Sequence, residues 1–262
     1  SAYYVHDHVS AAKKAAFVHV DYVQAGYTRR LDKDCYVDFD RIFAVSDETA
    51  GVLAGVYPEC QQKLSVFHNL IDTETIRQKA LLPAEKSMHE GIRLLTVGRL
   101  TPQKGFDCAV YALKLLLEKQ YPVYWYIIGE GPEYGRLTQL ARSLHVEDHF
   151  IFLGMQTNPY PYFKMADFYI HATRFEGKSI AIQEAQVLGC AIAASDCSGN
   201  REQIVSGVDG LLCPFSPEGI ANAVEYLIEH PQTAESFGRE AAQKACHFEN
   251  DIHMIRDLLY SP

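Results

Sequence analysis

The sequence predicts an α/β fold built on a doubly wound parallel sheet. From about residue 90 onward, short apolar runs rich in β-branched and aromatic residues alternate with amphipathic segments, the pattern of strand–helix–strand units. The 262 residues are enough for one large α/β domain, or for one complete domain with part of another. With 48% hydrophobic and 22% charged residues, the composition is that of a folded globular protein rather than a disordered one.

The predicted strands and helices alternate from residue 91 to the end of the sequence. Runs bounded by turn residues predict the strands, and apolar residues at helical spacing predict the helices. The predicted strands are 92–97, 123–128, 150–153, 168–172 and 191–194, and the predicted helices are 106–119, 134–144, 160–165, 180–188 and 217–230. Residues 91–262 are therefore predicted to form one complete Rossmann-like domain.

The first 75 residues predict a smaller unit, with a helix that begins at Asp47. The predicted strands are 16–20, 41–45 and 64–67. Because three strands make an incomplete domain, we interpret residues 1–75 as a partial N-terminal lobe. Residues 76–90 contain Pro83 and few periodic apolar residues, and we predict a linker there.

Charge and composition exclude several classes of partner. The net charge of −9 argues against nucleic acid, because binding a phosphate backbone needs a basic face. The seven cysteines form no C-x-x-C pair, which predicts reduced thiols in the cytoplasm. No stretch reaches the ~20 apolar residues of a membrane helix, so at most peripheral membrane association is expected. His6-Asp7-His8 has metal-ligand residue types, but near a terminus we interpret it as solvated and predict no metal site.

The strongest motif spans residues 174–185, where a predicted strand ends and a helix begins. It contains Glu176 and Glu184, eight residues apart. A helix that starts at Ser179 would direct backbone N–H groups and its positive dipole end toward the carboxyl edge of the sheet, where a phosphate can bind. Glu184 could then accept two ribose hydroxyls and Glu176 could reach a second polyol. The alternative is that both acids only complement the dipole of an exposed helix start.

A second turn, at residues 97–105, also follows a strand and precedes a helix. Gly98 permits close approach of a ligand, and Arg99 and Lys104 bring two cations to the same edge of the sheet. Paired cations can stabilise a departing diphosphate without a metal. The alternative is a loop whose basic residues are simply solvated.

A third turn contains Gly129, Gly131 and Pro132, with the proline suited to the first helical position. The spacing through Gly135 is one residue longer than the dinucleotide fingerprint, which excludes NAD binding by that motif. Residues 177–179 resemble the end of a P-loop, but Ala172 stands where the first glycine is required, so a P-loop ATPase is excluded as well.

These three turns, in this order, resemble the donor lobe of glycosyltransferase family 4, whose fold is called GT-B. The G-R-L-x-x-x-K-G turn of that family matches Arg99 and Lys104, and its G-x-G-P turn matches residues 129–132. Its E-x7-E signature matches Glu176 and Glu184, and the E-G-K variant at 176–178 resembles the branch that builds bacterial surface polysaccharides.

The resemblance implies a retaining, metal-independent hexosyltransferase that needs no cofactor beyond its nucleoside-diphosphate sugar, most commonly a UDP-sugar. Glu184 would bind the ribose, and Glu176, followed by Gly177 and Lys178, would lie beside the transferred sugar. Backbone N–H groups near Ser179 and Ile180 would contact phosphate, and Met155 would contact the base. Retention is usually explained by front-face attack, in which the leaving phosphate takes the proton of a glycan or lipid-linked acceptor.

The front of the chain matches only the closing portion of the family's acceptor lobe, most of which we expect to be absent. Residues 18–21 match an apolar-His segment whose histidine faces the donor sugar, so His19 is a candidate contact. Two other functions stay open: a non-catalytic nucleotide-sugar-binding fragment, and a GT-B epimerase or phosphorylase. An aromatic run, made of Tyr121, Tyr124, Trp125 and Tyr126, is interpreted as strand packing rather than a sugar platform.

Overall fold

The computed structural model describes residues 2–245 and 251–260, which divide into two compact units. The first unit holds the residues up to Leu70, the segment Phe175–Lys178 and residues 251–260. The second holds Ile71–Arg174 and the residues from Ser179 to 245. The sequence-based bounds at residues 75 and 90 stay a prediction.

In the first unit the strands β1 (Ala15–Val18), β2 (Arg41–Ala44) and β3 (Leu64–Val66) form a parallel sheet in the order β1-β2-β3. Ile42, in the second strand, is fully buried in the core that also contains Leu53 of the following helix, so this strand and helix pack through their apolar side chains. All three predicted strands are confirmed to within two residues at each end. The elements are α1 (Ala2–His8), β1 (Ala15–Val18), α2 (Arg29–Asp32), β2 (Arg41–Ala44), α3 (Asp47–Val56) and β3 (Leu64–Val66).

Helix α12 (Ile252–Tyr260) belongs to the first unit, and the other remaining elements belong to the second unit. Its elements are α4 (Thr73–Lys79), β4 (Ile92–Val97), α5 (Phe106–Glu118), β5 (Val123–Ile128), α6 (Tyr134–Ser143), β6 (Phe150–Gly154), α7 (Tyr160–Met165), β7 (Phe168–His171), α8 (Ile180–Val187), β8 (Ala191–Ser195), α9 (Ser198–Arg201), β9 (Leu211–Cys213), α10 (Pro217–Glu229) and α11 (Pro231–Ala245).

The sheet of the second unit has six parallel strands in the order β6-β5-β4-β7-β8-β9. Strand order reverses between β4 and β7, as it does in dinucleotide-binding folds. Side chains alternate along β4, so that Leu94 packs into the core on one face and Leu95 into the core on the other. The predicted α/β fold with a doubly wound parallel sheet is therefore confirmed.

Several short elements were not predicted from the sequence, among them α1, α2, α4 and β9. Helix α4 (Thr73–Lys79) overlaps the start of the stretch interpreted as linker, and it is capped by Asp72, whose side chain accepts a hydrogen bond from the amide of Thr75 at 3.0 Å. Ile76 is its only buried residue, so the helix carries almost no periodic signal. Strand β9 has three residues and pairs with β8 at the edge of the sheet.

The aromatic run of β5 packs in the interior, as predicted. Trp125 and Tyr126 are 0% and 1% exposed, and the Trp125 indole N–H donates to the hydroxyl of Thr96 at 3.0 Å. Tyr124 stacks on His89 and on His149, each with a centroid distance of 4.7 Å. These rings stabilise the sheet and do not form an exposed sugar platform.

Candidate functional site

The candidate site begins at the reversal of strand order in the second unit. Strands β4 and β7 are neighbours there, with Leu95 opposite Tyr169, and the turns that follow both strands start at the same edge of the sheet. In open parallel sheets, ligands bind at this position, outside the carboxyl ends of the strands.

The turn after β4 carries the two predicted cations. Arg99 is exposed and Lys104 is half-buried, and the aliphatic stem of Lys104 lies 3.7 Å from where a Cβ of Gly98 would stand. Gly105 ends this turn with φ of +61°, and a Cβ there would lie 2.5 Å from the carbonyl oxygen of Ala172. The cation-bearing turn is therefore packed tightly against the end of β7.

Glycines of the next turn are needed for packing between the two turns. A Cβ on Gly129, whose φ is +143°, would lie 2.0 Å from the carbonyl oxygen of Gly98, and one on Gly131 would lie 2.4 Å from that of Leu100. The Leu100 amide also donates to the carbonyl of Glu130 at 2.9 Å. The two turns thus form one rigid edge, which gives these glycines a role whether or not they contact a ligand.

Helix α8 begins at Ser179, where a buried glutamine forms a clamp. The Gln203 Oε1 atom accepts from the Ser179 amide at 2.7 Å, and its Nε2 atom donates to the Ser179 carbonyl at 2.8 Å. The Ser179 hydroxyl accepts from the amide of Ile182 at 3.4 Å and caps the helix. The Ser179 amide is thus already engaged, whereas Ile180 and Ala181 have no acceptor within the helix for their amides.

Sequence reasoning missed Gln203, because it lies beyond the motif in an unremarkable loop. Its own carbonyl accepts from Gln186 Nε2 at 2.8 Å and from Lys244 Nζ at 2.7 Å. Lys244 also pairs with the buried carboxylate of Asp209 at 2.7 Å. This network fixes the start of the helix that carries Glu184.

Glu184 lies one turn into α8 and is half-buried. Burial raises the pKa of its carboxyl group, and a hydrogen bond from the Tyr160 hydroxyl, 3.0 Å from Oε1, works in the opposite direction. Burial and the neighbouring charge of Glu184 raise the pKa of Tyr160 to about 12, so that the phenol stays a donor. Tyr160 was missed as well, since a single tyrosine in a short helix carries no pattern.

Met155 directly follows β6 and is 71% exposed, with its backbone at the same edge of the sheet. The neighbouring Gln156 donates from Nε2 to the carbonyl of Leu153 at 2.9 Å, which folds this loop back on its strand. The position agrees with the predicted base contact, which stays a prediction.

The first unit brings together the other predicted residues. A Cβ on Gly177 would lie 2.4 Å from the carbonyl oxygen of His19, so these two segments touch backbone to backbone. Glu176 is buried, the ring of His19 is exposed, and the Asn69 Nδ2 atom donates to the Lys178 carbonyl at 3.2 Å. Sequence reasoning placed His19 and Glu176 beside the same sugar; their segments are adjacent, and the contact with a sugar stays a prediction.

Within residues 2–245 and 251–260, no group of three or more histidine, cysteine, aspartate or glutamate residues is arranged to hold a metal ion. The ring of His6 instead bonds Asp7 and Asp38, each at 2.7 Å. No helix in the described part of the chain is long and apolar enough to cross a membrane.

Comparison with known proteins identifies the family. The family model described as glycosyl transferases group 1 matches residues 76–244, which is most of the chain. The chain belongs to the group 1 glycosyl transferases. Glycosyl transferases of this group use nucleotide-sugar donors.

Curated relatives of this group 1 glycosyl transferase are themselves named as glycosyltransferases. It is 30% identical over 200 residues to the N-acetylgalactosamine-N,N'-diacetylbacillosaminyl-diphospho-undecaprenol 4-alpha-N-acetylgalactosaminyltransferase of Campylobacter jejuni, covering 76% of this chain and 53% of the relative. It is 28% identical over 175 residues to the amylovoran biosynthesis glycosyltransferase AmsK of Erwinia amylovora, covering 64% and 41%. The chain spans about half the length of the curated relatives it matches.

Solved structures show that the fold of this glycosyl transferase is of the GT-B type. Anabaena HepE in complex with UDP and glucose superposes with a TM-score of 0.81 at 19% identity, covering 95% of this chain and 72% of that one. Sucrose-phosphate synthase from Thermosynechococcus elongatus gives a TM-score of 0.80 at 17% identity, covering 94% and 68%. At these identities the likeness establishes the fold alone.

Proposed function

We propose that the chain carries the donor-binding part of a retaining, metal-independent hexosyltransferase of glycosyltransferase family 4. It transfers a sugar from a UDP-sugar to a glycan or lipid-linked acceptor of a surface polysaccharide, in the cytoplasm. The observation that carries the proposal is the position of Arg99, Lys104 and Glu184, which all follow strands at one carboxyl edge of a doubly wound sheet.

The diphosphate is bound by charge and by backbone amides. Arg99 and Lys104 supply two cations that stabilise the negative charge on the departing diphosphate. The amides of Ile180 and Ala181, at the positive end of α8, supply further donors, since the Ser179 amide is bonded to Gln203. Gly98, Gly129 and Gly131 keep this edge of the sheet open and rigid.

The nucleoside is held by Glu184 and by the backbone at Met155. A carboxylate accepts both hydroxyls of a ribose in charge-assisted hydrogen bonds, and Tyr160 fixes its orientation. The solved complex of Anabaena HepE contains UDP, and this supports uracil as the base.

The transferred sugar is oriented by Glu176, followed by Gly177 and Lys178, and by His19 of the adjacent segment. The acceptor hydroxyl attacks the anomeric carbon on the face from which the phosphate leaves. The bond between that carbon and the phosphate oxygen breaks, a bond to the acceptor oxygen forms, and the acceptor proton passes to the departing phosphate. The anomeric configuration is thereby retained, and Glu176 orients the sugar rather than attacking it.

The names of the relatives support the class of acceptor. The Campylobacter jejuni enzyme is named for an undecaprenol-linked saccharide, and the Erwinia amylovora enzyme for amylovoran biosynthesis. A lipid-linked glycan is consistent with peripheral rather than integral membrane association.

Calorimetric titration with UDP, GDP, ADP and their sugar conjugates, first with magnesium and then with EDTA, tests the proposal. We expect metal-independent binding of UDP and its loss in the Glu184→Ala variant, because the ribose hydroxyls lose their acceptor. Absence of binding by all three diphosphates would refute it. Binding without transfer to a glycan acceptor and without hydrolysis would instead favour a non-catalytic sugar-nucleotide-binding protein, and epimerisation or phosphorolysis would favour the remaining alternative.

A further inference from the structure

Arg174 holds the turn that carries Lys104. This arginine follows the end of β7, and its backbone amide donates to the carbonyl of Gln103 at 2.8 Å. Its guanidinium donates from NH1 to the carbonyl of Pro102. The neighbouring Thr173 adds a bond from its hydroxyl to the Gln103 carbonyl at 3.1 Å. The carbonyls of the two residues before Lys104 are thus bound by Arg174 and Thr173.

The guanidinium of Arg174 is itself fixed on two further sides. It forms a two-pronged pair with Asp107, with NH1 to Oδ1 at 3.0 Å and NH2 to Oδ2 at 2.8 Å. It also lies over the ring of Phe215 at 5.0 Å. Burial works to raise the pKa of Asp107, but the hydrogen bonds and charge of Arg174 outweigh burial and lower that pKa. The Asp107 carboxylate thus anchors the arginine.

Both NH1 hydrogens of Arg174 therefore have acceptors within the protein, one at Pro102 and one at Asp107. The described hydrogen bonds of the guanidinium thus bind the turn and Asp107. Lysine cannot replace it, because a single ammonium group cannot span both carboxylate oxygens and a backbone carbonyl in one plane.

We propose that Arg174 is a positioning residue, which sets the place of the Lys104 ammonium at the diphosphate by holding the turn of Pro102 and Gln103. The inference rests on the proposed function, since it needs Lys104 to bind a diphosphate. It adds a residue that acts through Lys104 and does not touch the donor.

The chain offers a matched control for this arginine. Arg93 forms an equivalent fork with Asp167, with Nε to Oδ2 at 3.0 Å and NH2 to Oδ1 at 2.8 Å. The side chains of Arg93 and Arg174 are similarly exposed, at 34% and 37%. Arg93 lies near the start of β4, and so at the opposite edge of the sheet from the candidate site.

The experiment measures the affinity of UDP and of uridine for the wild type, for Arg174→Lys and for Arg93→Lys. We expect Arg174→Lys to weaken the affinity for UDP by about tenfold and to leave the affinity for uridine unchanged, because only the binding of the diphosphate depends on Lys104. Arg93→Lys should change neither affinity. In a Lys104→Ala background, Arg174→Lys should have no further effect on UDP, which a merely structural role would not produce.

Several outcomes would overturn the inference. Equal behaviour of Arg174→Lys and Arg93→Lys would do so, as would additive losses in the double variant or a parallel loss for uridine. If Arg174→Lys folds poorly, Asp107→Asn must show the same selective loss of UDP, to a smaller degree, or the inference fails. A wild type that binds UDP, GDP and ADP not at all would instead refute the proposed function, and with it this inference.

Discussion

The hydroxyl of Tyr160 lies 3.0 Å from the carboxylate of Glu184 and opposes the effect of burial on that group. Burial alone favours the neutral acid, whereas a donated hydrogen bond favours the carboxylate. The balance leaves the pKa of Glu184 above its ordinary value. Since a carboxylate accepts hydrogen bonds most strongly when it is ionised, Tyr160 extends the pH range in which Glu184 is a strong acceptor.

Replacing Tyr160 by Phe should shift the acid limit of UDP binding to higher pH. The variant loses the hydrogen bond that lowers the pKa of Glu184, so the carboxylate becomes protonated earlier as the pH falls. The measurement is the UDP dissociation constant of wild type and variant as a function of pH. Tyr162→Phe is the control, because that hydroxyl accepts from the Lys86 amide and has no carboxylate partner in the described hydrogen bonds. An unshifted profile for Tyr160→Phe would contradict the assigned role.

Replacing Glu184 by Gln should increase stability at neutral pH. A carboxyl group whose pKa is raised in the folded state contributes stability below its unfolded pKa and loses it as the pH rises through the folded pKa. The neutral amide avoids that loss, so the gain should vanish below about pH 4, where glutamate is neutral in both states. Urea unfolding midpoints of wild type and Glu184→Gln, measured from below pH 4 to neutral pH, test the sign of the stability change.

Glu225→Gln supplies the opposite case for the same measurement. The hydrogen bond from Lys119 lowers the pKa of Glu225, so this carboxylate contributes stability above its unfolded pKa that is lost as the pH falls through the folded pKa. Glu225→Gln should therefore lower stability at neutral pH and should have no effect on stability in acid. Two variants with the same pH trend would show that the environment of Glu184 is not the cause.

Replacing Lys104 by Ala should weaken UDP binding by about 1.5–3 kcal/mol and leave uridine binding nearly unchanged, because the proposed contact of the ammonium is with the diphosphate and not with the nucleoside. Lys164→Ala removes the same charge from an exposed position on α7 and should affect neither ligand. Calorimetry with both ligands measures the difference. Equal losses of UDP and uridine in Lys104→Ala would mean that the lysine supports the fold of the site rather than the phosphates.

The strands and helices of the second unit could be predicted because each has a strong local signal. Alternation and β-branched runs gave β4 and β5 to the residue. Helix α4 could not be predicted this way, since its stability comes from a cap at Asp72 and from Ile76 packing against Val187, a residue distant in sequence. Short elements that depend on tertiary contacts leave little trace in a single sequence.

The residues proposed to bind the donor were easier to find in the sequence than the residues that hold their segments in place. Arg99 and Lys104 lie in one turn and Glu184 lies in α8, all within motifs of recognisable spacing, and all three follow strands at one edge of the sheet. Tyr160, Gln203 and Arg174 act through hydrogen bonds that span 24, 24 and 67 residues of sequence. Hydrogen-bond partners this far apart in sequence leave no local pattern, so only the three-dimensional structure reveals them.

The contact between Gly129 and Gly98 gives a final prediction, on stability. Gly129 has φ of +143°, a conformation open essentially to glycine alone, and a Cβ there would lie 2.0 Å from the Gly98 carbonyl oxygen. Gly129→Ala should therefore destabilise the fold by at least about 3 kcal/mol and should weaken UDP binding, because the turn of Arg99 and Lys104 must move.

Gly135→Ala is the matched control, because a Cβ there meets nothing within 4 Å and the residue lies in α6. It should be neutral or stabilise the protein by up to about 1 kcal/mol, since alanine favours helix. Chemical unfolding of both variants tests the contrast. If Gly129→Ala were as stable as Gly135→Ala and bound UDP normally, the two turns would not form the rigid edge on which the site depends.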